Sequence, residues 1–476
     1  MKNRFNNITS KEWLPFQKSW FLHTNNEQLY SQHIRFFIKY DDPDSPPNFI
    51  YFGNDSFTVK NVCNDNGAKL LHTIPDDKCI QYVFIDLRDK INALKSIDEY
   101  SKLRKKILIF TQKLFKVLKE RRFISIIIPN KTINNKYVPF AWDFAYSIAS
   151  GFTLKDEKVG CINKNKSTGP TNSVYYVLNF RKDENSSNNF KIIDSNLLNG
   201  KKIHKDTPII YPKMWDIIKP PPRKKNEVLH PAKYPENLIT SFIKVFTNKS
   251  DNVFDPMSGS GSTQMAALQV ERNGYGTELS EYFSKIAKDR LEEYLRPKKQ
   301  SVFLNDTKNL DFKILNKDIR NISEGDFPLI DYIITSPPYW DMLNMKGAEY
   351  QARRKEKGLK LNYSDSNNDL GNIEDYNLFI KDLVDIYYGL IDILKPGGYF
   401  TIIVKNIKKK GKNYPFAWDL TRMLNNKLIL LPEFFWLQDD INLAPYGYGN
   451  TFVSNTFHQY CLNFMKPNIR YGSTNI

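Results

Sequence analysis

Cysteine is scarce in this chain. Four are spread over 476 residues (Cys63, Cys79, Cys161, Cys461), with no C-x-x-C pair. Such spacing excludes a thiolate zinc site and a disulfide framework, and it fits reduced thiols in a cytoplasm. Long apolar runs are also lacking. No stretch approaches the roughly 20 residues of a membrane span, and Met1 to Trp13 is polar, without an apolar signal core. The expectation is a soluble, cytoplasmic protein with no metal and no membrane contact. Positive charge is abundant instead: 69 Lys and Arg against 52 Asp and Glu, a formal net charge of +17. A balance of that sign points to a polyanionic partner, nucleic acid first. The lysines are dispersed, however, and the richness in Lys, Asn and Ile matches a prokaryotic or phage-like AT-rich genome, so charge alone locates no binding face.

The length suits two or three domains, and an internal repeat divides it. Pro139-Phe140-Ala141-Trp142-Asp143 recurs as Pro415-Phe416-Ala417-Trp418-Asp419, 276 residues on. The same interval carries Ile97-Asp98-Glu99-Tyr100 onto Ile373-Glu374-Asp375-Tyr376, Ile126-Ile127 onto Ile402-Ile403, and Asn130 onto Asn406. With gaps, Tyr175–Phe180 resembles Tyr460–Phe464, and Gln81–Ile85 matches Asp331–Thr335. Each copy has the pattern strand, helix, strand, helix, closing strands. In the second copy a helix over Tyr376 to Leu394 is expected to stop at Lys395-Pro396-Gly397-Gly398, before a buried strand, Tyr399 to Val404.

Two stretches of the second half carry chemistry. In the first, Asn252-Val253-Phe254-Asp255-Pro256-Met257-Ser258-Gly259-Ser260-Gly261 is a strand and a glycine turn leading into a helix. The glycines allow close approach of a ligand, and the helix start offers free N–H groups. Glu278, nineteen residues after Gly259, ends the next strand, where an acid is placed to bind a ribose diol. Asp318 follows a third strand, Phe312–Asn316, and is a candidate acceptor for an adenine amino group. Gln264 stands where a dinucleotide fingerprint has its third glycine, which argues against NAD.

The second stretch, Thr335-Ser336-Pro337-Pro338-Tyr339-Trp340, leaves the apolar run Ile330–Ile334. Two prolines fix φ and remove two donors, so nearby carbonyls face outward without a local partner. A hydroxyl, a free carbonyl and a flat ring suit a planar substrate with an exocyclic amine. The first copy has Asp86-Leu87-Arg88-Asp89 at this place and lacks the elbow.

Together these motifs resemble the S-adenosylmethionine-dependent amino-methyltransferases of DNA, over roughly His230 to Lys466. His230-Pro231-Ala232-Lys233-Tyr234-Pro235 is similar to the family's element before the cofactor strand, Asp255–Gly261 to its glycine motif, and Ser336-Pro337-Pro338-Tyr339 to its catalytic motif in the serine form associated mainly with cytosine N4. His458-Gln459-Tyr460 resembles the ending before the last strand. The resemblance implies a Rossmann-like methyltransferase fold of the α/β class, with a mixed seven-stranded sheet and helices on both faces, preceded by a degenerate copy of the catalytic half. It implies S-adenosyl-L-methionine as cofactor, held by Pro231, Asp255, Pro256, Ser258, Gly259, Gly261, Glu278 and Asp318, with Ser336, Pro337, Pro338 and Tyr339 as the catalytic set. Double-stranded DNA is the implied partner, with cytosine N4 as target in a flipped-out base. Adenine N6, an RNA base, or a non-catalytic DNA-binding subunit are the alternatives. No Pro-Cys dipeptide supplies the thiolate of the carbon-5 route. No nuclease motif is present, so any restriction endonuclease is expected to be a separate chain.

The expected division is 1–180, a degenerate catalytic-half repeat with an N-terminal extension; 181–229, a linker or target-recognition element; and 230–476, the methyltransferase domain, with cofactor half 230–325 and catalytic half 326–476. Because the usual cytosine-N4 order places the catalytic half first, duplication of a catalytic-first ancestor is the expected origin. The segment from Asp341 to Asn372, with Lys346, Arg353, Arg354, Lys355, Lys357 and Lys360, is expected to be a basic loop beside the elbow.

Overall fold

Two apolar runs, Ile80–Asp86 and Ile330–Thr335, are buried almost end to end and form central strands of two separate sheets. The computed structural model of the chain describes residues 3–42, 44–163, 172–203, 213–219, 235–300, 310–323, 325–340, 369–409, 411–439, 443–445, 447–450, 452 and 454–468. The first sheet contains β1 (Trp20–Leu22), β2 (Asn48–Phe52), β3 (Lys69–Leu71), β4 (Ile80–Asp86), β5 (Leu118–Ile128), β6 (Thr153–Asn163) and β7 (Asn172–Arg181), in the spatial order β1-β6-β7-β5-β4-β2-β3. The second contains β8 (Trp215–Ile217), β9 (Asn252–Asp255), β10 (Asn273–Glu278), β11 (Phe312–Asn316), β12 (Ile330–Thr335), β13 (Leu394–Val404), β14 (Phe434–Leu437) and β15 (His458–Met465), in the order β8-β14-β15-β13-β12-β9-β10-β11. A further short strand, Ile429–Leu430, pairs with β15.

The two orders superpose strand for strand, with β11 and the short Ile429–Leu430 strand as additions. In both sheets only the strand between the two halves, β7 or β15, runs antiparallel to its neighbours. Even an irregularity repeats: β4 pairs Ile80 with Leu118 and Tyr82 with Phe123 across a register shift, and β12 pairs Ile330 with Leu394 and Tyr332 with Tyr399 across another. The central order β11-β10-β9-β12-β13-β15-β14, parallel but for β15, is a Rossmann-like methyltransferase sheet.

Strand alternation sorts the core into faces. Tyr82 and Phe84 pack under helices α1 (Asn26–Phe37) and α2 (Ser56–Asp65), whereas Val83 and Ile85 face α3 (Ile97–Val117) and α4 (Phe140–Ala149). The second sheet repeats this layout. Tyr332 and Ile334 meet α5 (Glu236–Phe246) and α6 (Ser262–Gln269), and Ile333 lies on the side of α8 (Tyr376–Ile393) and α9 (Phe416–Leu424), after α7 (Glu281–Gln300). Helix α5 reaches its sheet with Leu238, Ile239, Phe242, Ile243 and Phe246, an apolar stripe at helical spacing.

The topology widens the expected repeat. The segment expected to be an N-terminal extension supplies α1, β2, α2 and β3, the counterparts of α5, β9, α6 and β10. The duplicated unit is therefore a whole sheet and not its catalytic half. Both units run cofactor-type strands first, so duplication of a catalytic-first ancestor does not describe this chain. Two local expectations also shift. Helix α8 ends at Ile393, and the Lys395–Gly398 stretch already lies in β13; His458-Gln459-Tyr460 opens β15 instead of preceding it. Within 181–229, the described residues up to 195 pack onto the first unit, with Phe190 5.2 Å from Phe152 between ring centroids and Ser195 Oγ donating to Asp143 at 2.6 Å, while Asn196, Lys201 and Ile203 reach the second, bonding Asn426 and Lys427 and joining its core.

The repeated Pro-Phe-Ala-Trp-Asp segments meet each other. Trp142 and Trp418 stack with centroids 6.4 Å apart and planes 14° from parallel. Around them lie two reciprocal polar clusters. Asn130 Nδ2 donates to Glu433 at 3.0 Å, joined there by the Tyr137 and Tyr176 hydroxyls, and Asn406 Nδ2 donates to Glu157 at 2.6 Å, joined by the Tyr460 hydroxyl. Glu157 and Glu433 are also 276 residues apart. Each Asn additionally accepts from the backbone N–H of Ala141 or Ala417 at 2.9 Å. This is an isologous contact of the kind a twofold dimer makes, here built within one chain.

Candidate methyl-transfer site

The second sheet places the cofactor motif and the elbow on adjacent strands, β9 and β12. Asp255 ends β9 fully buried, and its carboxylate joins the two halves. Oδ1 accepts from the Met257 N–H at 3.0 Å and from the Thr335 hydroxyl at 2.9 Å, and Oδ2 accepts from the Thr263 hydroxyl at 2.6 Å. One side chain thus fixes the glycine turn, the start of α6 and the end of the elbow strand.

The turn is tight for steric reasons. Gly259 and Gly261 have φ of +52° and +78°, a region that favours glycine, and a Cβ on Gly261 would lie 2.9 Å from the Ala287 Cβ on α7. Glu278 ends β10 across the turn, accepting from the Gly259 N–H and the Ser280 N–H at 2.8 Å each. Burial pushes its carboxyl above the usual range, against the pull of those two donors; the negative charges of Asp255 and Asp369 add to the rise. Ser258 Oγ donates to the Asp255 carbonyl at 3.0 Å and accepts from Gln264, which also donates to the Tyr275 carbonyl, so the residue in place of a third glycine braces the loop.

The turn fits an adenosyl-type ligand on structural grounds. The buried Ser262 hydroxyl, at the first position of α6, has no hydrogen-bond partner among the described residues, and the helix start leaves N–H groups open. Asp318 caps a short 3-10 turn after β11, where its carboxylate accepts from the Arg320 backbone and guanidinium at 2.7 to 3.0 Å. It sits at the expected strand end, already engaged by a cation. Pro231 and the rest of 230–234 lie outside the described residues, as does the basic stretch 341–368. Asp369, at the end of that stretch, is buried and acidic.

At the elbow, no described group donates to the Pro337 carbonyl. The Tyr339 phenol donates to Gln459 Oε1 at 2.9 Å; burial pushes it up to about 12, with the Ser336 hydroxyl offsetting part of the shift. Trp340 takes φ +50°, unusual for a large side chain, and its indole N–H donates to the Glu374 carbonyl at 3.1 Å. Lys409 Nζ lies 3.8 Å over its ring. A cleft of about 900 Å³ opens here between the two units, lined by Trp340, Tyr376, Tyr414, Lys155, Lys409 and Lys412. Thr335, Gln459 and Lys405 are not among the site residues expected from the sequence: Thr335 and Gln459 stand only as members of the motifs around them, and Lys405 belongs to none.

The first unit has neither feature. Only Gly53, Asn54 and Asp55 connect β2 to α2, and the Tyr51 hydroxyl occupies the place a Cβ on Gly53 would take. At the elbow position Asp86 is locked by Arg88 and by the Tyr30 hydroxyl at 3.0 Å, and Arg88 also donates to Asn26 at 2.8 Å. A buried ion pair fills the position the elbow holds in the other sheet.

Among the described residues no group of His, Cys, Asp and Glu could hold a metal, the four cysteines are free, and no helix is long and apolar enough to cross a membrane.

Comparison with known proteins agrees. The family model described as DNA methylase, of the N6 and N4 type, matches residues 10–289, which takes in the first unit and strands β9 and β10 of the second and ends before β11 and the elbow. The expected resemblance, over 230–466, thus captured only part of the related chain. Among curated relatives, the orphan methyltransferase M.BamHII of Bacillus amyloliquefaciens is 42% identical over 66 residues, 14% of this chain and 25% of that protein. The Type II methyltransferase M2.MboI of Moraxella bovis is 33% identical over 96 residues, 20% of this chain and 33% of that protein. The chain spans a third or less of the length of these two relatives. Among solved structures, the N-methyltransferase NodS from Bradyrhizobium japonicum in complex with S-adenosyl-L-homocysteine aligns over 49% of this chain and 85% of that one, at 11% identity and a TM-score of 0.29. With its family model matching more than half of the residues, the chain belongs to the N6/N4 DNA methylase family.

Proposed function

We propose that this protein transfers a methyl group from S-adenosylmethionine to the exocyclic amine of a base in double-stranded DNA, with cytosine N4 the favoured target. The observation that carries the reading is the Asp255–Thr335 hydrogen bond, which ties the cofactor turn to the elbow strand. Asp255, Pro256, Ser258, Gly259 and Gly261 would cradle the cofactor, with Pro231 from the preceding segment, Glu278 on the ribose and Asp318 near the adenine. The cofactor supplies an electrophilic methyl on a sulfonium. The Ser336 hydroxyl and Pro337 carbonyl accept hydrogen bonds from the target amine, directing its lone pair at the methyl carbon, while Pro338 keeps the turn rigid. Transfer of that methyl to the lone pair would be matched by loss of one amine proton to solvent. Tyr339 stacks on the base. Positioning and fixed dipoles account for the acceleration. The base must be flipped out of the duplex to reach the elbow, and Lys409 and Lys412, at the cleft beside Trp340, are the candidates for phosphate contact.

We assign residues 1–203 to a scaffold unit without its own chemistry, which holds the catalytic unit and offers one wall of the cleft. Serine at the head of the elbow favours cytosine over adenine. Incubation with labelled cofactor and mixed-sequence DNA, followed by digestion to nucleosides, tests the reading: N4-methylcytosine is expected, N6-methyladenine would overturn the choice of base, and absence of transfer would leave a DNA-binding subunit.

A further inference from the structure

Five lysines have ammonium groups held below the usual lysine range by burial: Lys136, Lys158, Lys182, Lys405 and Lys466. Four of them are compensated. Lys136 donates to the Leu198 carbonyl, Lys158 to those of Phe16 and Lys18, Lys182 to those of Phe115 and Leu118, and Lys466 to those of Ile391 and Leu394. Lys405 differs: among the described residues no carbonyl, carboxylate or hydroxyl accepts from it. Lys405 is half-buried beside the elbow, and a partly desolvated ammonium with no described acceptor marks a place that a ligand can complete.

Its place in the fold says which ligand. Lys405 follows the last residue of β13, the strand between the elbow strand β12 and β15. In the β13–β15 register Val404 faces Tyr460, so Lys405 falls opposite Gln459, the acceptor of the Tyr339 phenol. The Lys405 Nζ lies 5.4 Å from the centroid of the Tyr339 ring. In the first unit the residue at the same 276-residue interval is Pro129, and the elbow position holds the Asp86–Arg88 pair. The lysine accompanies the elbow and is not required by the sheet.

We propose that Lys405 is a contact for the target base: its ammonium donates a hydrogen bond to an acceptor on the base edge, a ring nitrogen or ring carbonyl, while the amine is held by Ser336 and Pro337. The inference rests on the methyl-transfer reading of the elbow. Lys405 lies over the Tyr339 ring, whereas Lys409 and Lys412 line the cleft and are better placed for the phosphate backbone. With the acceptor supplied by the base, the ammonium gains a hydrogen-bond partner in the complex, and base flipping and lysine pairing become linked.

The test uses the full chain with Lys405→Met and Lys405→Arg, measuring cofactor binding, thermal stability, DNA binding against salt, and turnover. Lys405→Met is expected to lower kcat/KM about 100-fold, the scale of removing one preorganised donor, with cofactor affinity unchanged and the melting temperature unchanged or raised. Lys405→Arg, which keeps a donor, is expected to recover part of the turnover. Wild-type turnover in Lys405→Met would overturn the inference. So would a melting temperature that falls in step with activity, the mark of a structural role, or a salt slope of DNA binding reduced by about one charge, the mark of a phosphate contact. A wild type that transfers no methyl group to DNA overturns the proposed function and this inference together, whereas an active wild type with an unaffected Lys405→Met overturns this inference alone.

Discussion

The two units share one sheet order and one register yet treat the carboxyl edge of the central strand in opposite ways. In the first, Asp86 and Arg88 neutralise each other and Tyr30 and Asn26 complete their hydrogen bonds. In the second, the Pro337 carbonyl has no described donor and Lys405 has no described acceptor. The first unit closes this edge with its own side chains, and the second leaves acceptor and donor groups open to a ligand. The comparison also separates two meanings of repetition. Residues kept in both copies, such as Trp142 and Trp418, build the contact between the units, and residues present in one copy build the candidate site.

The largest effects should come from the residues that differ. Ser336→Ala and Tyr339→Ala are expected to lower methyl transfer at least about 100-fold while cofactor affinity, measured by calorimetry, stays within a few-fold of wild type. Asp255→Ala should instead abolish cofactor binding, and Asp86→Ala in the first unit should leave binding and turnover intact. If Asp86→Ala were as damaging to cofactor binding as Asp255→Ala, the functional asymmetry of the units would be broken.

The next effects test what the units share. Glu433→Ala leaves the Asn130, Tyr137 and Tyr176 donors without their carboxylate. A loss of about 2–4 kcal/mol in denaturant unfolding is expected, and Glu157→Ala should cost a similar amount by its reciprocal position. Unequal losses would show that the pseudo-twofold contact is energetically one-sided.

Glu278 gives a smaller, signed effect. Its folded-state pKa is raised, so above the unfolded value near 4.5 the unfolded state ionises first. Stability is therefore lost as pH rises from there through the folded pKa. Glu278→Gln should remove that decline in a melting-temperature series against pH while weakening cofactor binding; a decline that persists would assign it to other groups. Smallest is Tyr146→Phe, which removes a 2.6 Å hydrogen bond to Asp419 across the contact and should cost about 1 kcal/mol by the same unfolding measurement.

Much of the second unit was legible before folding. The glycine turn, Glu278 and the elbow announce themselves because each demands a particular residue: φ above zero, an acid at a strand end, two prolines in succession. The 276-residue interval was legible wherever bulky residues recur, at Trp142 and Trp418 above all. The cofactor-type strands of the first unit were not. Once the turn shrank to Gly53-Asn54-Asp55 no fixed residue remained, and β2 and β3 are short apolar stretches that many topologies accept. Lys405 was equally silent, one lysine among many in a basic chain.

By itself the sequence determined the chemistry on offer, because hydroxyl, carbonyl, ring and carboxylate are properties of residues and their spacing along single strands. Only the tertiary structure decided what these groups meet. Asp255 and Thr335 are 80 residues apart and touch because β9 and β12 are neighbours. Lys405 and Tyr339 converge because β13 lies beside β12. Trp142 and Trp418 recur because they pack against each other. Those relations follow from strand order and burial, which depend on the whole core rather than on any one segment.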